Sequence, residues 1–365
     1  MKQFGRLYGI ENTNRTGKNL WGKNQFNSAF PSSLACYMRD NDLDIVQIQL
    51  KGDLGTECVE VSVDQIFNTN LPNSDLYFDF ETQFEPYGKF TYGNLERVDL
   101  VVREKRLKKN NSGEDVVVAG NPLRPLEIKL TVVPDQTTHK DDPKNWSPEI
   151  VIRPATTMYC ALGMAHNPNI PQSRVNEIFL PVGNAVQDWG NQAEAEKILP
   201  KAIEALDKFQ AEFQEFQTPL ILQPIWRTKG KKPILEEKAF DIFVWTDFAL
   251  ARVFIDLAKN NKPNNISRYA RSTLRLTRFL YEYGRAGAAN INTIYSDMTY
   301  NQQSDKEFSL SGKITSKYMK HPRMHEPAVD REIVRKLILD NGERYLSPER
   351  RFDQTVYFTY SFEEE

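Results

Sequence analysis

Two periodicities divide the chain. In the first half, short apolar runs alternate with polar positions at the two-residue period of half-buried strands. DIVQIQL at 44–50 and VEVSV at 59–63 read this way, the second running into a helical turn at DQIF. Between 75 and 133 the runs LYFDF, KFTYG, RVDLVV, DVVVAG and LEIKLTVV predict a β-meander, punctuated by Gly88, the Asn110–Gly113 cluster, Pro122 and Pro125. EIVIRP at 149–154 predicts a further strand, and TTMYCALGMA after it a buried helix. Before the first strand, Ser32 is placed to cap a helix ending near Arg39. Residues 1–25 predict an irregular polar arm.

The second half changes period. Residues 193–216, 239–259 and 267–283 carry the i, i+3, i+4 apolar spacing of amphipathic helices. A last helix over 330–340 is stopped by Asn341-Gly342. The expected class is α/β in its α+β form, a β-rich first half followed by a mainly helical second half. A division near 190 separates 1–190 from 191–365, unless the two form one continuous domain. No internal repeat is present, and the acidic tail Glu363–Glu365 predicts a frayed end.

Composition narrows this only a little. The 365 residues, 40% hydrophobic and 11% aromatic, are enough for a real core. Lys and Arg number 47 against 49 Asp and Glu, a net charge of −2, so any nucleic-acid face must come from local clustering. Cys36, Cys58 and Cys160 are far apart and form no CxxC pair, which argues against structural zinc and for a reducing compartment. The opening MKQFGRLYGIENTNR lacks the apolar core of a signal peptide, and no window reaches the ~18 apolar residues of a membrane span. A soluble cytoplasmic protein is expected.

The chemistry concentrates on two strands. In LEIKL at 126–130, Leu126, Ile128 and Leu130 share one face, leaving Glu127 and Lys129 side by side on the other. In RVDLVV at 97–102, Val98, Leu100 and Val102 take the buried face, and Asp99 points the other way with Arg97 and Val101. The intervening REKRLKK, the Asn-Asn-Ser-Gly turn and DVVVAG make a plausible hairpin, so Asp99, Glu127 and Lys129 can converge. Phosphodiester hydrolysis uses a divalent ion to polarise phosphate and acidify water. Mg²⁺ takes oxygen ligands, typically one or two carboxylates. Asp99 and Glu127 supply these, with the Ile128 carbonyl as a third donor, and Lys129 can stabilise charge on phosphorus or orient the water.

The bare spacing is weak. An acid two residues before a lysine is expected about three times by chance in such a composition. It occurs at Asp142/Lys144, Glu236/Lys238 and Glu127/Lys129. Only the last lies in an alternating apolar strand with an acidic strand residue upstream. A solvated Glu–Lys pair on an exposed sheet is the plain alternative.

Longer segments add to this pair. WGKNQFNSAFPSSLACYM (21–38), RVDLV (97–101) and LEIKLTVVPDQTT (126–138) resemble the HindVP-type family of type II restriction endonucleases, and LSPERRFD (346–353) is compatible with it. The resemblance implies a PD-(D/E)XK nuclease core, a mixed central sheet flanked by helices. In it Asp99 takes the first acidic place, Glu127 the second and Lys129 the lysine; Val98 stands where the pattern has proline. On this reading 1–190 forms the catalytic core with its arm, and 191–365 a helical region for DNA recognition and dimerisation. The resemblance further implies double-stranded DNA as substrate, a palindromic target of the type GRCGYC, and a genetically linked DNA methyltransferase that protects the host. A palindrome implies a homodimer, because two-fold DNA matches two-fold protein.

Several clusters are candidates for reading that DNA. Arg268, Arg271 and Arg275 follow helical i, i+3, i+7 spacing, which suits phosphate contact or a solvated helix face. Asn301, Gln302, Gln303, Lys306 and Lys313 are the residue types that read base edges, or an ordinary polar loop. Glu81 is weighed as an auxiliary carboxylate against a surface strand residue. No GxxxxGK[ST] or GxGxxG motif is present. Two other functions stay open: a non-catalytic nucleic-acid-binding protein that keeps a nuclease-like fold, and an unrelated enzyme using the Asp/Glu pair for acid–base work.

Overall fold

The computed structural model describes residues 32, 35–36, 38–40, 42, 44–50, 56–130, 150–152, 154–213, 220–222, 226–229, 232–235, 241–244, 248–262, 266–300 and 308–310. Eleven strands are described: β1 (Ile45–Leu50), β2 (Thr56–Val61), β3 (Leu76–Thr82), β4 (Val98–Lys109), β5 (Asp115–Leu130), β6 (Ile150–Ile152), β7 (Leu220–Leu222), β8 (Trp226–Lys229), β9 (Lys232–Leu235), β10 (Asp241–Val244) and β11 (Phe308–Leu310). The α-helices are α1 (Val63–Phe67), α2 (Pro154–His166), α3 (Gln172–Gly183), α4 (Gln192–Phe213), α5 (Phe248–Ala258), α6 (Arg268–Ala286) and α7 (Ile291–Asp297). Helical backbone is also present at Ser32, Ala35, Cys36 and 38–40, where the sequence predicts it.

A seven-stranded sheet in the order β2-β1-β7-β10-β5-β4-β3 forms the frame. Its ladders run antiparallel. The class is α+β, with a C-terminal half largely helical, consistent with a restriction-endonuclease-like fold. Two of its inner strands, β7 and β10, come from the second half and sit between β1 and β5. Residues 241–244 were expected to continue a helix begun at 239. They lie instead in β10, whose pairing on both sides outweighs the local helical spacing. KFTYG also departs from its predicted strand, because 85–90 close into a 3₁₀ helix that starts with a proline. The helix predicted at 330–340 lies outside the described residues.

The long hairpin β4–β5 carries the middle of the sheet. Its turn is held by Asn110, whose Oδ1 accepts from the backbone N–H of Ser112 and Glu114. The ladder shifts register on both sides of Arg103, and Gly120 lies where the strands crowd: a Cβ there would meet the Glu104 carbonyl oxygen at 2.7 Å. Pro122 and Pro125 are tolerated in β5 because β10 pairs only with 127–130, so this stretch has a strand on one side only.

Helices α2–α7 pack together against the sheet. Helix α6 runs through the middle, with every residue from Ala270 to Tyr281 buried. Its start is capped by Ser267, whose Oγ accepts from the Ala270 N–H at 3.1 Å. Helix α3 crosses it closely at two glycines. A Cβ on Gly284 would stand 2.7 Å from the Asn176 backbone, and one on Gly183 would enter the Tyr281 ring. Rings complete the core: Phe179 and Phe209 lie 5.4 Å apart, Phe209 and Phe213 5.2 Å. Among the described residues no helix is long and apolar enough to cross a membrane.

Candidate active site

Strands β4 and β5 are neighbours, as the hairpin reading expects. Leu100 pairs with Leu126 and Val101 with Pro125. Continuing that register by one residue sets Asp99 across from Glu127. Directly opposed residues on one antiparallel face have Cβ atoms ~4.5–5.5 Å apart. Asp99 is half-buried and Glu127 is 8% exposed. On the back of the two strands Val98, Leu100, Val102 and Leu126 are all buried, as their alternation predicts. Val101 was expected beside Asp99 on an open face and is fully buried, because the helical layer covers that side too.

On the other side of Asp99 lies β3. Its ladder pairs Phe80 with Leu100 and Thr82 with Val98, so Glu81 falls alongside Asp99. Glu81 has φ 51°, a left-handed conformation costly for a non-glycine residue. Strain of this kind persists where neighbouring structure over-determines it, often at functional sites. The row Glu81, Asp99, Glu127 thus crosses three adjacent strands.

Lys129 and Ile128 have their backbones in β5, where they pair with Ile242 and Phe243 of β10. Their side chains lie outside the described residues. The β5–β10 ladder runs unbroken from Glu127 to Leu130.

One buried tyrosine of the helical layer has no motif to announce it. Tyr159 of α2 is 1% exposed, and its ring centroid lies 5.9 Å from that of Tyr87. Burial pushes its phenol above the ordinary range, and Glu127, Tyr87, Glu96 and Asp99 push the same way. Glu96 is exposed just before β4. No spacing rule marks Tyr159, since α2 reads as a uniformly apolar core helix.

Close by, Arg103 is held from three directions. Its Nε lies 3.0 Å from Asp79, its Nη2 2.7 Å from Glu85 and 3.3 Å from the Gln83 carbonyl oxygen. Burial raises the Asp79 carboxyl above its usual range, and the Arg103 charge opposes that rise.

The arginine stripe is placed differently from its solvent-facing expectation. Arg271 and Arg275 are each 2% exposed. Arg271 Nη1 donates to the Ile266 carbonyl at 3.0 Å, and Arg275 Nη2 to the Met298 carbonyl at 3.0 Å. Arg275 also lies over the Tyr295 ring at 5.1 Å. Arg268, at the start of α6, is half-buried. Helical spacing puts these residues on one stripe, and that stripe faces the interior. Asn301, Gln302, Gln303, Lys306 and Lys313 lie outside the described residues.

The donor set suits a hard divalent cation. Two opposed carboxylates, with oxygens from water and phosphate, are what Mg²⁺ ordinarily takes. Among the described residues no three His, Cys, Asp or Glu side chains form a metal cage by themselves. An ion here would be shared with its substrate, as in phosphoryl-transfer sites.

A sheet packed against helices, followed by a mainly helical C-terminal half, is consistent with the restriction-endonuclease-like fold. A sequence profile of the HindVP restriction endonuclease family matches residues 21–362, and the chain belongs to that family. It is 36% identical over 361 residues to the protein named Type II restriction enzyme HgiDI of Herpetosiphon aurantiacus, spanning 98% of this chain and 97% of that one. It is 30% identical over 359 residues to the Probable type II restriction enzyme HindVP of Haemophilus influenzae, spanning 96% of this chain and 92% of that one. No solved structure matches it.

Proposed function

We propose that this chain is a type II restriction endonuclease that hydrolyses phosphodiester bonds of double-stranded DNA with the help of Mg²⁺. The observation that carries the reading is the β4–β5 register, which brings Asp99 across from Glu127 in a family of restriction endonucleases. Asp99 and Glu127 would hold the ion, together with the Ile128 carbonyl. When bound, the ion polarises the scissile phosphate and lowers the pKa of an attacking water.

The protein's own groups do the rest. Half-burial of Asp99 and deeper burial of Glu127 lower the local dielectric, which strengthens their hold on a cation. Lys129, two residues along β5 from Glu127, is the residue this reading assigns to the charge developing on the phosphate. Glu81 and Glu96 add negative potential around the pair. The target is a palindrome of the type GRCGYC, read by a homodimer, and a methyltransferase protects the same site in the host.

The test is incubation of purified protein with phage DNA, in Mg²⁺ and in EDTA. Discrete fragments that need Mg²⁺, with ends mapping to one short palindrome, are expected. Intact DNA with a retained gel shift would instead leave a DNA-binding protein without cleavage.

A further inference from the structure

The outer half of the β4–β5 hairpin has no task in the reading above. Strand β3 pairs with β4 only as far as Glu104, and β10 pairs with β5 only at 127–130. Residues 105–109 and 115–119 therefore pair only with each other among the described residues. The register shifts on both sides of Arg103 fall at the root of this ribbon, and irregularities of that kind bend a strand and increase its twist.

The ribbon is basic within an acidic chain. Residues 105–119 hold Lys105, Arg106, Lys108 and Lys109 against Glu114 and Asp115, while the net charge of the whole is −2. All four cations are exposed. Two of them are tied to the root. Lys105 Nζ donates to the Ser74 carbonyl at 3.0 Å, and Arg106 Nη2 to Asn121 Oδ1 at 2.8 Å, with Glu104 3.9 Å away. Lys108 and Lys109 form no ion pair or side-chain hydrogen bond among the described residues, although Lys109 sits across from Asp115. Apolar side chains stand bare beside them: Leu107 is 66% exposed and Val116 37%. The ladder sets Arg106 and Lys108 on one face, opposite Val118 and Val116, and Lys105, Leu107 and Lys109 on the other. Cations thus leave both faces of a strip only two strands wide.

That pattern fits a groove walled by anions. B-DNA lines each groove with phosphates on both sides, and its major groove, ~12 Å wide, admits a two-stranded β-ribbon. Thymine methyls in that groove take apolar contacts. A second copy of this chain fits poorly, because antiparallel pairing of two β4 edges sets lysine against lysine. Resting on the reading of this chain as an endonuclease of double-stranded DNA, we infer that the ribbon 105–119 is a DNA-gripping arm, with Lys108 and Lys109 on the phosphates that wall one groove. At a rise of ~3.4 Å per residue, these lysines lie roughly 30 Å along β4 from Asp99. The arm therefore holds DNA away from the phosphate that is cut, and it positions the duplex without entering the reaction.

The experiment uses the full chain, a fluorescent duplex of roughly 30 base pairs, about 100 Å long, and EDTA so that binding is read without cleavage. Anisotropy titrations over a salt series give the slope of log Kobs against log salt concentration. Each lysine on a phosphate contributes about 0.9 to that slope. Lys108→Ala with Lys109→Ala is expected to lower it by about 1–2, and Lys108→Arg with Lys109→Arg to keep the parent slope, since the contact is one of charge. An alanine variant with the parent slope overturns the inference. So does one that elutes from size exclusion as a smaller species than the parent, which would assign the arm to a contact between copies. Cleavage of phage DNA in Mg²⁺ by the parent is read in parallel. A parent that cleaves while the alanine variant keeps its slope sinks the arm alone. A parent that binds without cleaving, and whose alanine variant loses slope, sinks the endonuclease reading and leaves the arm; a parent that binds no DNA sinks both.

Discussion

Two rows of charge run through this molecule, and they are used in opposite ways. On the sheet, Glu81, Asp99 and Glu127 lie abreast on β3, β4 and β5, each fixed by a neighbouring strand. On α6, Arg271, Arg275 and Arg278 lie along one helix, buried against backbone carbonyls and acids. The carboxylates set like charges on neighbouring strands, an arrangement that suits a divalent cation. Each arginine meets an acceptor within its own fold: Arg278 reaches Glu282 at 2.8 Å and Asp297 at 2.9 Å. One row is tied into the fold through hydrogen bonds and ion pairs of its own, whereas the other gathers acidic groups of the kind that ligate a hard cation.

This contrast can be broken most directly at the sheet. Asp99→Asn and Glu127→Gln should each reduce DNA cleavage by on the order of 10³-fold, about 4 kcal/mol of barrier. Stability should change far less than cleavage, because each substitution keeps the shape of the side chain. Cleavage of phage DNA within tenfold of the parent for both variants would end the catalytic assignment. On the helix the expected effects exchange places. Arg275→Ala should lower stability to urea by about 3 kcal/mol, since it empties a buried site and leaves the Met298 carbonyl without its donor. A stable Arg275→Ala protein with weakened, less salt-sensitive DNA binding would instead return that arginine to a phosphate-contacting role.

The glycines of the α3–α6 crossing test the scaffold beneath both rows. Gly284→Ala should cost about 1–3 kcal/mol, because its Cβ would press on the Asn176 backbone at 2.7 Å. An unchanged urea midpoint would mean the helices part freely. The smallest effect concerns His166, which lies among Phe84, Tyr87 and Phe90. Burial, then the positive charges of Lys89 and Arg124, lowers its pKa from the usual 6.5. The unfolded chain therefore binds a proton below pH 6.5 that the folded protein resists, so this contribution to stability is present above pH 6.5 and lost as pH falls through the folded value. His166→Gln should flatten the fall in urea midpoint between about pH 7 and pH 5. An identical pH profile would show that the ring titrates freely.

How far the residues announced all this differs between elements. Alternation at 97–102 and 126–130 told which side chains share a face, and the turn at Asn110–Gly113 told that the chain doubles back; the observed ladder agrees with both. The same alternation misjudged Val101, because a two-residue period says which face a residue takes and not what covers that face. Helical spacing likewise put Arg271 and Arg275 on one stripe while leaving open whether that stripe meets solvent or core. The strand β10 was hidden because four residues inside a helix-like stretch carry too little local signal against the pairing of two neighbours. Tyr159 was unreadable for a related reason: in an apolar helix a tyrosine and a phenylalanine fill the same pattern, and only the position of the hydroxyl distinguishes them.

By itself the sequence determined the local terms: strand and helix periods, the hairpin turn and the family, and it named Asp99, Glu127 and Lys129 as the candidate set. These depend on neighbours along the chain, and short-range sterics and burial make them legible. Tertiary structure alone decided which strands lie side by side, that β7 and β10 return into the sheet of the first half, and that the arginines of α6 turn inward. Those outcomes are set by packing between segments that are not neighbours along the chain, where free energy is shared among many weak contacts and no single stretch of sequence records it.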